Sequence, residues 1–457
     1  MGSKWKRVTV ADVCISIVDC VNKTAPVVEY PTNYKMIRTP NIRSGKVTLD
    51  GCRYVEKEVY ETWTRRSKPQ KEDVLLTREA PLGEVGIITT DDNIFLGQRI
   101  MQYRADKNKI DPYFLLYSFL SPDLQQQFSM HEGSGSVVSH IRVGDCSKFE
   151  INIPPLEIQR SIVEILKSLD DHIDVNIKIN QTLEQMSQTL FKSWFVDFDP
   201  VIDNALDAGN PVPEALQSRA ELRQKVRNSA DFKPLPADIR ALFPAEFEET
   251  ELGWVPKGWR IESFSEIAQL VKENVKSEDI STDVHYVGLE HLERKHIFIT
   301  NYGNGSDVSS NKSAFNKGDL LFGKLRPYFH KVAITPFSGI CSTDILVFRA
   351  KEKYYKSLMA MYAFTDEFVA YANLRSTGTR MPRAEAKDLL KYKIILPNKN
   401  ILEKFELLLE GYWTKGQLNN NENEQLTALR DTLLPKLISG ELSLEDLPDL
   451  VTQTEPA

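Results

Sequence analysis

Two textures of apolar residues alternate along the chain, and each occurs twice. Over residues 1–153 the apolar positions form short runs bounded by Gly, Pro and Asn, such as Val74-Leu75-Leu76, Val85-Gly86-Ile87-Ile88 and Ile151-Asn152-Ile153. That pattern predicts short β-strands joined by turns, interrupted by one amphipathic helix over 112–120. After Pro154-Pro155 the period changes. From Glu157 to about Phe198 there is no Pro or Gly, and Ile162, Leu166, Leu169, Ile173, Leu183, Leu190 and Trp194 follow a helical, heptad-like spacing. Such a helix extends about 60 Å, too long to lie inside one compact domain. A Pro-bearing stretch that reads as solvated follows over 199–251, with a short helical piece at 213–228. Residues 254–397 return to the β-rich texture and 398–436 to the long helix, before an acidic tail.

The alternation is an internal repeat. At an offset of 243 residues, Gly135, Asp145, Lys148, Ile151, Pro154, Ile158, Leu166, Asn176, Asn180, Leu183, Thr189 and Leu190 each meet the same residue type. A strand–proline–helix succession stays in register throughout. Upstream the offset drifts, as loops of unequal length require: Asp73-Val74-Leu75-Leu76 resembles Asp319-Leu320-Leu321-Phe322, and Trp5-Lys6-Arg7 resembles Trp259-Arg260. The predicted fold is α+β: two similar β-rich globular domains separated by two long helices that pair as an antiparallel coiled coil with pseudo-twofold symmetry. The expected boundaries are 1–155 for the first head, 156–198 for the first helix and 199–252 for a linker. The second head takes 253–397, the second helix 398–437 and the tail 438–457.

Each helix exposes an apolar stripe that needs a partner. Asn176 and Asn180 fall in the seam of the first, Asn419 and Asn423 in that of the second. Asn176 and Asn419 lie near the midpoints, so an antiparallel pair would set them face to face, a polar layer that pins register at some cost in stability. The alternative is that these amides point to water. Helices of this length would also hold the heads apart by about one to two turns of duplex DNA.

Composition sharpens this reading. The chain is 457 residues long, with 41% hydrophobic and 26% charged residues, an ordinary foldable composition. No run reaches the length of a membrane helix and the N-terminus lacks an apolar signal core, so a cytoplasmic location without a membrane partner is expected. Cys14, Cys20, Cys52, Cys146 and Cys341 are scattered and form no C-x-x-C pair, so neither a disulfide frame nor a metal site is predicted. The net charge of −7 argues at first sight against nucleic acid, but it divides unevenly. Residues 1–155 and 253–397 together carry +7, and the helices, linker and tail carry −14. The heads are mildly basic, and the acidic parts suit protein partners.

Catalytic chemistry is not recognisable. There is no P-loop, and Gly133-Ser134-Gly135-Ser136 lacks the strand–turn–helix context of a phosphate cradle. Asn152-Ile153-Pro154-Pro155 and Asp111-Pro112-Tyr113 only approximate the [DN]-P-P-[YF] pocket of amino-methyltransferases, and no glycine-rich S-adenosylmethionine loop accompanies them. The histidines at 131, 140, 172, 285, 291, 296 and 330 show no metal-ligand spacing, and His291 and His296 read as a surface turn. No G-x-S-x-G elbow occurs. A non-catalytic protein without a cofactor of its own is expected.

The heads instead offer basic and amide side chains at turns between strands. In the first they are Arg38, Asn41, Arg65, Arg66, Lys68, Arg78, Gln98, Arg99, His140 and Arg142. In the second they are Lys324, Arg326, Tyr328, Ser342, Thr343, Thr379, Arg380 and Arg383. Arg and Lys neutralise phosphates and contact guanine edges, while Asn and Gln suit adenine edges. Any one of these is ordinarily a solvated surface group. Their recurrence at corresponding places in both copies, on loops of different sequence, is what two different half-sites require.

Four segments carry a resemblance to a known family. They are Pro154-Pro155-Leu156-Glu157-Ile158-Gln159-Arg160, Lys192-Ser193-Trp194-Phe195-Val196-Asp197-Phe198-Asp199-Pro200, Glu251-Leu252-Gly253-Trp254-Val255-Pro256-Lys257-Gly258-Trp259 and Leu433-Leu434-Pro435-Lys436-Leu437-Ile438-Ser439-Gly440-Glu441. In this order the sequence resembles the specificity (S) subunit of type I restriction–modification systems. The resemblance implies two target-recognition domains, each reading one half of a bipartite double-stranded DNA site, and helices that set the spacer. It implies as partners two modification (methyltransferase) subunits, which hold S-adenosylmethionine and methylate adenine N6, and restriction (motor–nuclease) subunits in the larger complex. One departure is visible: Asn398-Lys399 stands where the first copy has Pro155-Leu156. The competing readings are a self-sufficient DNA methyltransferase and a scaffold whose heads bind proteins.

Overall fold

A computed structural model describes residues 5–130, 140–378 and 380–444. The chain divides into two compact units, Met1–Asp174 with Asn423–Ala457, and Val175–Glu422. The helix Leu156–Phe191 contributes its first half to unit one and its second half to unit two.

Unit one is built on a six-stranded sheet in the order Cys14–Asp19, Ile100–Ala105, Val74–Arg78, Leu82–Ile87, Gly45–Val47, Ile42–Arg43. A three-stranded sheet (Arg53–Tyr54, Tyr34–Ile37, Asn93–Leu96) and a ribbon pairing Lys6–Thr9 with Glu150–Ile153 complete it. The helix predicted at Pro112–Leu120 is present, but Phe114 through Phe119 are all buried, so it crosses the core rather than bordering it. A second helix, Pro122–Met130, and the shorter Lys57–Trp63 went unpredicted, because their polar residues gave no clear period. Ile162, Val163 and Leu166 of the first long helix share the head's core with Leu433, Leu434, Leu437 and Ile438 of the second, Lys399–Ser439. Gln159 latches the helix start to the head. It is fully buried, donates to Pro154 O (2.8 Å) and Lys109 O (3.1 Å), and accepts from Asp111 N (2.9 Å).

Unit two repeats the plan. Ala268–Leu270, Ile345–Ala350, Leu320–Gly323 and Val332–Ile334 form a sheet in the same order as the first four strands of the six-stranded one. Arg260–Ser263 pairs with Lys393–Leu396 as Lys6–Thr9 does with Glu150–Ile153. The parallel pair Tyr34–Ile37 and Asn93–Leu96 recurs as His285–Val287 and Gly339–Cys341. The second long helix starts at the position equivalent to the start of the first. Asn398 Oδ1 accepts from Ile401 N (3.2 Å), so the departure noted in the sequence replaces a proline entry with an asparagine cap.

The linker differs from the solvated stretch that its prolines suggested. A π-helical turn, Lys192–Val196, sinks Trp194 and Phe195 into the core, and Phe198 turns the chain at φ +55°. The following helix, Asp199–Ala208, buries Val201 and Ile202 completely. Asp199, Asp203 and Asp207 pair with Arg219, Arg223 and Arg227 of the helix Gln217–Arg227, a ladder with one rung per turn on each side.

The expected Asn176–Asn419 layer is also corrected. Asn419 Nδ2 donates to Asn180 Oδ1 (2.9 Å), while Asn180 Nδ2 donates to Asn420 Oδ1 (2.7 Å) and Gly416 O (3.1 Å). Asn176 donates instead to Glu422 Oε2 (2.9 Å). The pairing is antiparallel, but shifted by one turn, because matching helix midpoints carries no energy whereas a buried layer that makes three amide hydrogen bonds does. Asn176, Asn180 and Asn419 are buried, so water is not their main partner; Asn423, in unit one, is half-buried. Gly416 also serves the packing, since a Cβ there would lie 2.2 Å from the Phe298 ring.

Among the described residues no helix is long and apolar enough to cross a membrane, no group of three or more acidic, His or Cys side chains could hold a metal ion, and all five cysteines are free. Burial pushes the Cys14 and Cys341 thiols up to about 12 and Cys146 to about 11.

Candidate nucleic-acid interface

The central strand of each main sheet, Val74–Arg78 or Leu320–Gly323, ends where other loops converge. In unit one Arg78 N donates to Arg99 O (2.8 Å) and Ile141 N to Arg78 O (3.0 Å). In unit two Lys324 N donates to Asp344 O (3.0 Å) and Ala384 N to Lys324 O (3.0 Å). A fourth loop joins the same end in each: Gly97 N donates to Ile37 O (2.7 Å) and Ser342 N to Val287 O (3.0 Å). The two copies therefore hold four equivalent loops at one sheet end by the same main-chain bonds, leaving side-chain chemistry to vary.

In unit one the loops bring together Arg38, Arg78, Gln98, Arg99, His140 and Arg142, with different degrees of freedom. Gln98, Arg99 and Arg142 are exposed, and Arg99 reaches Glu79 at 3.4 Å. Arg78 is held inward: its side chain is 11% exposed, Nη2 lies 3.1 Å from Asp19 Oδ1 and Nη1 donates to Ile141 O (3.1 Å). Arg38 is half-buried and donates to Gly51 O (2.9 Å). Asn41 is 2% exposed, accepts from Arg38 N (3.0 Å) and donates to Asp50 O (2.8 Å), so it shapes its turn rather than offering a free edge. The equivalent turn in unit two is closed by His291 Nδ1 accepting from Gly288 N (3.0 Å), which gives that histidine a structural task. Arg65, Arg66 and Lys68 are exposed but stand apart along the sheet edge. Arg66 reaches Cys20 O at 3.5 Å, while the Lys68 carbonyl accepts from Arg104 at the far end of the strands.

In unit two Lys324, Arg326, Tyr328, Thr343, Arg380 and Arg383 gather at the loop end. Thr343, Tyr328 and Arg380 are exposed. Arg383 pairs with Asp344 (2.9 Å), which holds its guanidinium above the ordinary value, and Ser342 Oγ accepts from Asp344 N (3.2 Å). Thr379 lies outside the described residues, as do His131 and Gly133–Ser136. Composition alone did not single out Asp19 and Glu79, which hold Arg78 and Arg99, or the exposed Phe329. Aligning the turn after Asp73-Val74 with that after Asp319-Leu320 would have exposed Phe329, because the second turn is one residue longer.

The model for the type I restriction modification DNA specificity domain matches residues 2–185 and 256–428. The chain is 28% identical over 412 residues to the type I restriction enzyme HindI specificity subunit of Haemophilus influenzae, covering 82% of this chain and 87% of that protein. It is 25% identical over 388 residues to the MjaIX specificity subunit of Methanocaldococcus jannaschii, covering 82% and 79%. The crystal structure of the type I restriction–modification S subunit from M. genitalium shares the fold, with a TM-score of 0.52 at 14% identity over 95% of this chain and 96% of that one. With two matched copies spanning most of its length, the chain belongs to the type I restriction–modification DNA specificity family.

Proposed function

We propose that this specificity subunit reads a bipartite double-stranded DNA target, each head taking one half through its four-loop sheet end, while the long helices set the spacer. The observation that supports this best is the identical main-chain scaffolding of the two loop clusters with unlike side chains on it. Exposed Gln98, Arg99 and Arg142 in one head, and exposed Arg380 and Thr343 with half-buried Lys324 in the other, are suited to phosphate and base-edge contacts. The helices dock two modification subunits. Val175, Ile177 and Met186 on the first, and Leu407 and Leu418 on the second, are 41–68% exposed apolar side chains of the kind that partner contacts bury. S-adenosylmethionine belongs to those partners, and the motor–nuclease subunits join the assembled complex.

Methylome sequencing of cells with and without the gene tests this reading. A bipartite, adenine-methylated motif should vanish on deletion and return on complementation. A methylome indifferent to the deletion, or salt-insensitive duplex binding by the assembled complex, would refute it.

A further inference from the structure

The turn after the central strand is built alike in both units and tipped differently. Ala80 and Arg326 occupy equivalent positions, each in the left-handed region at φ +51° and each followed by proline. From there the first head returns directly into its next strand at Leu82. The second inserts one extra residue and a short turn, Pro327–Phe329, before Val332. That insertion projects two aromatic rings. Tyr328 is 46% and Phe329 41% exposed, with centroids 4.8 Å apart.

The tip is held on both flanks. Arg326 N donates to Pro382 O (2.8 Å) and Gly323 N to Lys331 O (2.8 Å). His330, at φ +52° and 3% exposed, is anchored by Phe364 O (2.9 Å) and Asp366 (3.2 Å). Two unburied rings on a braced turn are therefore presented rather than merely tolerated, which lowers the ordering cost of using them. Their surroundings suit an anionic partner: Lys324 precedes the turn, and the Thr377–Arg383 bridge, with Arg380 at its tip, packs beside it through Leu325 and Arg383. Aromatic side chains among basic ones serve DNA by stacking on bases or wedging into a base step.

We propose that Tyr328 and Phe329 form an aromatic wedge that stacks against or unstacks one base step of the second half-site, and that the first half-site is read without such a deformation. This rests on the reading of the heads as DNA readers and adds an indirect, shape-dependent component to one half alone.

The test uses the complete complex with its modification subunits on its own methylation motif. Duplexes carry 2-aminopurine singly through each half, at positions other than the methylated adenine. One step in the second half should change fluorescence on binding, and none in the first. Tyr328→Ala/Phe329→Ala should abolish that signal and weaken binding about 10- to 100-fold, with Tyr328→Phe close to wild type. Independently of any variant, 5-bromouracil in the second half should photo-cross-link to Tyr328 or Phe329. Binding within twofold of wild type with an unchanged signal, cross-links elsewhere, or a defect in subunit assembly instead of DNA binding would each overturn the wedge. A wild-type complex that binds no duplex would overturn the underlying reading as well, and shows this before any substitution is made.

Discussion

Asp319 accepts two hydrogen bonds of 2.8 Å from the guanidinium of Arg349, and Asp73 accepts the same pair at the same lengths from Arg104. The carboxylates are almost fully buried (3% and 2%), and a turn amide, from Asn316 or Gln70, caps each at 2.7 Å. The same fork holds the start of the central strand to the end of its neighbour in both heads. Carboxylate bonding keeps both arginines above their ordinary value.

Removing Asp319 takes away the two-bond partner of Arg349 and leaves it the longer pairing with Glu273 (3.6 Å). Asp319→Ala should therefore destabilise the protein by about 2–4 kcal/mol, at the lower side of a buried pair because Arg349 is partly solvated. Paired replacement, Asp319→Leu with Arg349→Leu, should recover much of that loss. Urea unfolding of the single and double variants measures it, and a single-variant loss under about 1 kcal/mol would contradict the assignment.

Register between the helices should depend on Asn180 far more than on Asn176. Asn180→Leu strands the amides of Asn419 and Asn420 in a dry seam and should cost about 2–3 kcal/mol. Asn176→Leu gives up the bond to Glu422 but spares the Asn180–Asn419–Asn420 bonds, and should cost less, about 1 kcal/mol. Thermal unfolding ranks the two, and the reverse order would restore the midpoint pairing.

How much of this was legible beforehand varied with the physics involved. The long helices and the duplication were visible because period and register are sequence properties: Ile162, Leu166 and Ile173 name their own face, and Ile151 meets Ile394 at a fixed offset. The linker misled because Pro213, Pro234 and Pro236 suggest solvation, whereas Val201 and Ile202 are buried by neighbours that local sequence does not reveal. The reader set mixed exposed groups with structural ones for a related reason. Nothing near Arg78 in sequence announces Asp19, and nothing near Asn41 announces Asp50 O as its partner.

The second unit should carry a pH-dependent clasp. Glu184 of the first long helix is buried, accepts from Ile297 N (2.8 Å) and lies 3.1 Å from His296 Nδ1, with Glu293 4.0 Å from the other ring nitrogen. Hydrogen bonding to Glu184 raises His296 above its usual 6.5. A raised folded value means stabilisation fully present below about pH 6.5 and lost as pH climbs through the higher folded value. His330 has the opposite sign, since burial lowers it and its contribution fades as pH falls. Glu184→Gln keeps an acceptor for Ile297 N and removes the charge, so its destabilisation should be larger near pH 6 than near pH 8. Equal losses at both pH values would exclude the clasp.

Arg78 and Arg142 lie on the same loop end and should behave oppositely. Arg78 is committed to Asp19 and Ile141 O, so Arg78→Ala leaves Asp19 unmatched and should lower the melting temperature measurably. Its effect on DNA should be indirect and should leave the salt dependence of binding unchanged. Arg142 is exposed and makes no ion pair among the described residues. If it meets a phosphate, Arg142→Ala should leave stability within about 0.5 kcal/mol of wild type. It should also flatten the slope of log affinity against log salt by about 1, uniformly across sequences. Paired calorimetry and salt titrations of the assembled complex separate the two, because stability and counterion release are independent readouts. A flattened slope for Arg78→Ala with an unchanged melting temperature would mean that its internal pairing opens on DNA, and would return it to the readers.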